Sequence, residues 1–172
     1  MDQVLNRRDL LRLLGVSGLA LQLPAADPGA PLFFTREEFA LLDALTELVI
    51  PADDHSPGAR DAHVAGYIDQ TVAESFLPED KTSWRKGLRA INDLSQQLYG
   101  ASFLAANKQQ QTALLERIAH AEKNPQTEPE KFFTQLKQTS AFAYYSSSIG
   151  IHQEMEYRGN TMLREFVGYE VT

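Results

Sequence analysis

Thr35-Arg36-Glu37-Glu38-Phe39-Ala40-Leu41-Leu42-Asp43-Ala44-Leu45-Thr46-Glu47-Leu48-Val49-Ile50-Pro51 is the stretch that decides the fold. The Thr35 hydroxyl is placed to accept from first-turn amides and Glu38 to reach back, a capping box that opens a helix. Phe39, Leu42, Leu45 and Val49 then recur at helical spacing, and Pro51 cannot continue the run. A first helix is predicted from about Arg36 to Val49.

Outward from this helix the same pattern repeats. Ile50-Pro51-Ala52-Asp53-Asp54-His55-Ser56-Pro57-Gly58-Ala59 is turn-rich, with Ser56 as N-cap and Pro57 as first residue of a second helix. That helix carries the stripe Ala62, Ala65, Ile68, Val72 and Phe76 and ends near Leu77-Pro78. A third follows on Trp84, Leu88, Ile91, Leu94 and Leu98, capped by Gly100. Asn107 opens a fourth over Leu114, Leu115, Ile118 and Ala121, which the polar stretch from Glu122 to Glu128, with Pro125 and Pro129, closes. A fifth starts at Pro129 and shows Phe132, Phe133, Leu136, Ser140, Ala143 and Tyr144. No segment alternates polar and β-branched residues between turn signals, so the expected fold class is all-α, an irregular bundle of about five to six helices.

A different signal precedes the bundle. Asn6-Arg7-Arg8-Asp9-Leu10-Leu11-Arg12 runs into the apolar Leu13-Leu14-Gly15-Val16-Ser17-Gly18-Leu19-Ala20-Leu21. A basic region followed by an apolar run too short to span a bilayer reads as an export signal, and adjacent arginines mark the twin-arginine route for folded proteins. Residues 1–26 are assigned to this segment, with Arg7 and Arg8 as its signal, and 27–172 to one helical domain. The expected location is periplasmic, either free of the leader after cleavage near Ala26 or held by it.

Composition narrows the function classes. The chain carries 16 basic and 23 acidic residues, a net charge of −7, and the leader takes more basic residues than acidic ones with it. Such a surface repels phosphate backbones, and no basic stripe with interleaved aromatics offsets it, so nucleic acid is not an expected partner. There is no cysteine, which removes disulfides, thiolate zinc, iron–sulfur clusters and covalent c-type haem. Phosphate-cradling glycine loops, the Gly-x-Ser-x-Gly elbow and His-Glu-x-x-His are also missing. Asp53, Asp54, His55 and His63 could form an oxygen–nitrogen metal site, or His152 with Glu154 an acid–base pair, and on either reading the chain would be a stand-alone exported metal-binding protein or enzyme. The plain reading is turn chemistry at Asp53-Asp54, a helix end at His120 and a structural role at His152. An exported binding module for an unrelated partner fits the same leader and bundle.

From Tyr144 the helical pattern dissolves into Tyr144-Tyr145-Ser146-Ser147-Ser148-Ile149-Gly150-Ile151-His152-Gln153-Glu154-Met155-Glu156-Tyr157-Arg158-Gly159-Asn160. Aromatic, methionine and hydroxylated residues of this kind favour protein interfaces; a helix end followed by a Gly159-Asn160 turn is the other reading.

The order of twin-arginine leader, capping box, Ile50-Pro51-Ala52-Asp53-Asp54 with Ser56-Pro57-Gly58-Ala59, and late Tyr144-Tyr145-Ser146-Ser147-Ser148-Ile149-Gly150 with Tyr157-Arg158-Gly159-Asn160 resembles the gluconate 2-dehydrogenase subunit 3 family over nearly the whole chain. The leader departs from the usual pattern at Asn6 and Leu10. The resemblance implies a small, non-catalytic subunit accompanying an FAD-dependent sugar or sugar-acid dehydrogenase of the glucose–methanol–choline type, often with a c-type cytochrome subunit. It implies no cofactor on this chain, FAD and the catalytic histidine on the large subunit, and export of the pair through the small subunit's leader and the twin-arginine translocase. No catalytic residue carries over. The segments become candidate partner contacts: Ile50, Pro51, Asp53 and Asp54 in the first loop, and Tyr144, Tyr145, Ile149, Tyr157 and Asn160 in the last.

Overall fold

The computed structural model describes residues 30–159, so the leader with Arg7 and Arg8, and Asn160, lie outside the described residues. Helix α1 spans Arg36–Val49 and starts as its sequence requires: Thr35 Oγ1 accepts from the Glu38 amide at 3.1 Å and Glu38 Oε2 accepts from the Thr35 amide at 2.9 Å. Helix α2 spans Val64–Glu74, α3 Pro78–Tyr99, α4 Lys108–Ala119 and α5 Glu128–Ser146, followed by one wide π-helical turn at Gly150–Glu154. Among the described residues there is no strand, and no helix is long and apolar enough to cross a membrane.

Further start and stop signals act where the sequence places them. Asn107 and Gln110 form a reciprocal box at the start of α4. Glu130 reaches back to the Gln126 and Thr127 amides at 2.8 and 2.9 Å to open α5. Gly100 ends α3 at a φ of 69°, a left-handed conformation that costs a side-chain-bearing residue more than glycine.

Helix α5 is the axis of the bundle and packs against α1, α2, α3, α4 and the π-helical turn. Its six stripe residues, Phe132, Phe133, Leu136, Ser140, Ala143 and Tyr144, are all buried. Each large apolar side chain withdrawn from water there contributes about 1.5–3 kcal/mol. The approach to α3 is close enough that a methyl group on Gly87 would overlap the Phe132 ring, whose edge also meets Trp84 at 5.5 Å between centroids.

The second helix differs from its expectation. It begins at Val64, not Pro57, and the chain between makes successive turns from Ala59 to His63, which enters α2 at a left-handed φ of 55°. Ser56 and Pro57 do not cap a helix because tertiary partners claim that stretch first. Glu47 of α1 accepts from the Arg60 amide at 2.9 Å, and the Ile50 carbonyl accepts from Ala59 at 2.9 Å. Phe76 also departs from its stripe: α2 ends at Glu74, and Phe76 stands fully exposed beyond it.

Asp69 holds the chain ahead of α1. This α2 carboxylate is 3% exposed and accepts the amides of Leu32, Phe33 and Phe34 at 2.5, 3.0 and 2.9 Å. Residues 32–34 are thereby bound to the bundle, and Arg85 of α3 adds a hydrogen bond to the Phe33 carbonyl while lying 4.3 Å over the Phe33 ring.

Candidate functional site

The two segments singled out in the sequence, far apart along the chain, meet in space. After α1 the Asp53 carboxylate folds the loop by accepting from the His55 and Ser56 amides at 2.9 and 2.8 Å. These bonds hold the Asp53 carboxyl below its ordinary range, the Ser56 amide being the larger cause. Gly58 must be glycine for a steric reason: a side chain there would run into the Ala52 amide and the Glu47 carboxylate.

At the other end of the chain, α5 delivers Tyr144 into this loop. The phenol donates to the Pro57 carbonyl at 2.6 Å and lies 2.7 Å from the Ser56 hydroxyl. The backbone then doubles back, because Ser147 Oγ donates to the Tyr144 carbonyl at 2.6 Å and accepts from the Gly150 amide at 3.0 Å. A side chain at Gly150 would collide with that same carbonyl, so the π-helical turn needs glycine there. A second tie joins the turn to the loop: His55 Nε2 meets the Glu154 carbonyl at 3.2 Å. That carbonyl, followed by the negative charges of Glu154, Glu156 and Asp53, raises the His55 pKa above its ordinary value.

This geometry sorts the candidate contacts. Pro51, Asp53, Asp54, Tyr145 and Tyr157 are exposed, whereas Ile50 and Ile149 are half-buried and pack on the core. Tyr144 is 2% exposed. It is a strut between α5 and the loop and presents no surface to a partner, a correction that follows from its phenol being satisfied internally. Asn160 lies outside the described residues.

The metal reading finds no assembled site, since among the described residues no three His, Asp or Glu side chains are placed to hold an ion. His152 turns its Nδ1 to the Tyr157 carbonyl at 3.3 Å and is exposed. A cleft of about 280 Å³ lies between α1, α4 and α5, lined by Leu48, Val49, Leu115, Ala119 and Phe133, and a wider one of about 560 Å³, lined by Tyr67, Thr71, Ser75, Asp80 and Trp84, is within the range of ordinary small-molecule pockets. The first loop and the late turn thus form one loop-and-turn platform, held in shape by the Tyr144 and His55 ties.

The family model for gluconate 2-dehydrogenase subunit 3 matches residues 36–161, from the first turn of α1 through the platform. The chain belongs to the gluconate 2-dehydrogenase subunit 3 family. No curated protein and no solved structure matches it. The span matched by the subunit 3 family includes both halves of the loop-and-turn platform and the Tyr144 strut between them. Asp69, Glu47 and Gly87 also lie inside it. Sequence reasoning passed over Asp69, although a signal existed: at α2 spacing Asp69 falls in line between Ala65 and Val72, so a carboxylate occupies a core-facing position and requires buried donors.

Proposed function

We propose that this chain is the non-catalytic small subunit of an exported FAD-dependent sugar or sugar-acid dehydrogenase, needed for export, folding and stability of the flavoprotein large subunit. The observation that carries the reading is the subunit 3 family match over residues 36–161. The leader with Arg7-Arg8 supports the export half of it. A partner that binds only the folded flavoprotein stabilises it by mass action, and its own leader then carries the assembled pair by the twin-arginine route to the periplasm. FAD resides on the large subunit in this reading, and a c-type cytochrome subunit completes the electron path.

Coexpression of the flavoprotein with the intact chain, without it, and with an Arg7→Lys, Arg8→Lys variant tests the proposal. The expected result is soluble, active periplasmic flavoprotein only with the intact chain. Equal export and activity in all three cultures overturns it.

A further inference from the structure

Tyr67 of α2 and Phe142 of α5 stand side by side on the surface, ring centroids 6.2 Å apart, and are 41% and 63% exposed. Tyr145, one helical turn beyond Phe142, is 45% exposed and rests edge-on against buried Tyr144 at 5.4 Å. Along α5 and the turn after it, around Phe142 and Tyr145, charge disappears, while Tyr67 borders a cleft that also holds Glu74 and Asp80. From Gln138 to Gln153 there is no Asp, Glu, Lys or Arg, in a chain of which 23% is charged. Depletion of charge together with enrichment in Tyr and Phe is the compositional mark of an interface centre.

We infer that the flavoprotein subunit docks on the face formed by Tyr67, Phe142 and Tyr145; the inference rests on the subunit reading above. Area and charge identify the partner's chemistry. An aromatic side chain buries 150–250 Å² when covered, so three half-exposed rings offer roughly 300 Å² against the ~800 Å² each partner gives to a standard interface. They are the centre of a contact, and the uncharged Ser146, Ser148 and Gln153 extend it. The segment then ends in Glu154 and Glu156, and the contact of His55 with the Glu154 carbonyl at 3.2 Å brings this acidic end beside Asp53, whose carboxylate accepts from the His55 amide. The complementary surface is an uncharged apolar hollow edged on one side by Lys or Arg. Phe76 is more exposed than any of the three, but it stands among Glu74, Glu79 and Asp80, and an apolar residue among charges is ordinary surface.

The test uses the full chain coexpressed with the flavoprotein. Two variants alter the face, Tyr67→Ser with Phe142→Ser and Tyr145→Ser, and separately Phe142→Glu; Phe76→Ser is the control. Thermal melts of each free chain confirm folding. Both face variants should lose affinity by about tenfold or more, with Phe76→Ser binding as wild type. Wild-type affinity in both face variants, or loss on Phe76→Ser alone, overturns the face and leaves the subunit reading standing. A wild-type chain that does not bind the flavoprotein overturns both. Light scattering of the chain alone supplies the last outcome: a dimer split by the face variants makes a second copy the occupant and overturns the proposal.

Discussion

The Tyr144 phenol spends its single proton on the Pro57 carbonyl at 2.6 Å, so the Ser56 hydroxyl 2.7 Å away must donate to it, and this pair joins α5 to a loop 88 residues earlier. A side chain so placed joins two segments that local bonds shape separately, Asp53 in the loop and Ser147 in the turn. Tyr144→Phe keeps the ring in the core and removes both bonds. Stability should fall by about 2 kcal/mol, which for a chain of this size lowers the melting temperature by roughly 4–8 °C. Hydrogen exchange should quicken at Ala59, whose amide bonds the Ile50 carbonyl across the same loop. An unchanged melt would show that the phenol does not make these bonds in solution.

The second tie, from His55 to the Glu154 carbonyl, makes the platform sensitive to pH. His55 has its pKa raised in the folded chain, so its contribution is fully present below the ordinary value of 6.5 and is lost as pH rises through the higher folded value. Asp53 has its pKa lowered, so its contribution is present above the ordinary 3.8 and is lost as pH falls through the lower folded value. Between 3.8 and 6.5 both ties are at full strength. Protection of the Met155 amide, which closes the π-helical turn on Gly150, should decline as pH rises above 6.5 and through the higher folded value of His55 once intrinsic exchange is corrected. His55→Gln should flatten that decline. A His55 titration curve by NMR centred at or below 6.5 contradicts the account.

Most of the bundle was legible because apolar period and capping are local. The stripe from Phe132 to Tyr144 names the buried face of α5 residue for residue, and Thr35 with Glu38 and Asn107 with Gln110 mark two helix starts. What escaped was decided at a distance. Ser56-Pro57 has the local chemistry of a helix start, but Asp53, Glu47 and Tyr144 engage the stretch and postpone α2 to Val64. Phe76 has the right period and the wrong side of a helix end. Among the candidate contacts, exposure could not be read from residue type, which is why Tyr144 and Tyr145, adjacent and chemically alike, have opposite fates.

Asp69 makes the strongest stability prediction. Its carboxylate accepts three amides from residues 32–34 while buried. In Asp69→Asn the side-chain NH₂ replaces one acceptor oxygen and faces backbone donors, and the remaining bonds lose their charge-assisted strength. The cost should be about 2–3 kcal/mol, and protease cleavage between Pro31 and Thr35 should become rapid under native conditions. Wild-type resistance at that site would show that the strap is held by the Arg85 contacts instead.

The close approach of α3 to α5 gives a prediction whose sign reverses with its partner. A Cβ at Gly87 has no room beside the Phe132 ring, so Gly87→Ala should destabilise by about 1–3 kcal/mol through overpacking, even though alanine is the better helix former by about 1 kcal/mol. Phe132→Leu alone should also destabilise, by the lost burial and the cavity left beside Trp84. When the two substitutions are combined, the space vacated by the aromatic ring receives the new methyl. The double variant should therefore be more stable than the sum of the two single losses predicts, by about 1 kcal/mol or more in a double-mutant cycle read from denaturant midpoints. Additive losses would mean that the helices separate to admit the methyl, and then the spacing of α3 and α5 is not set by the contact between Gly87 and Phe132.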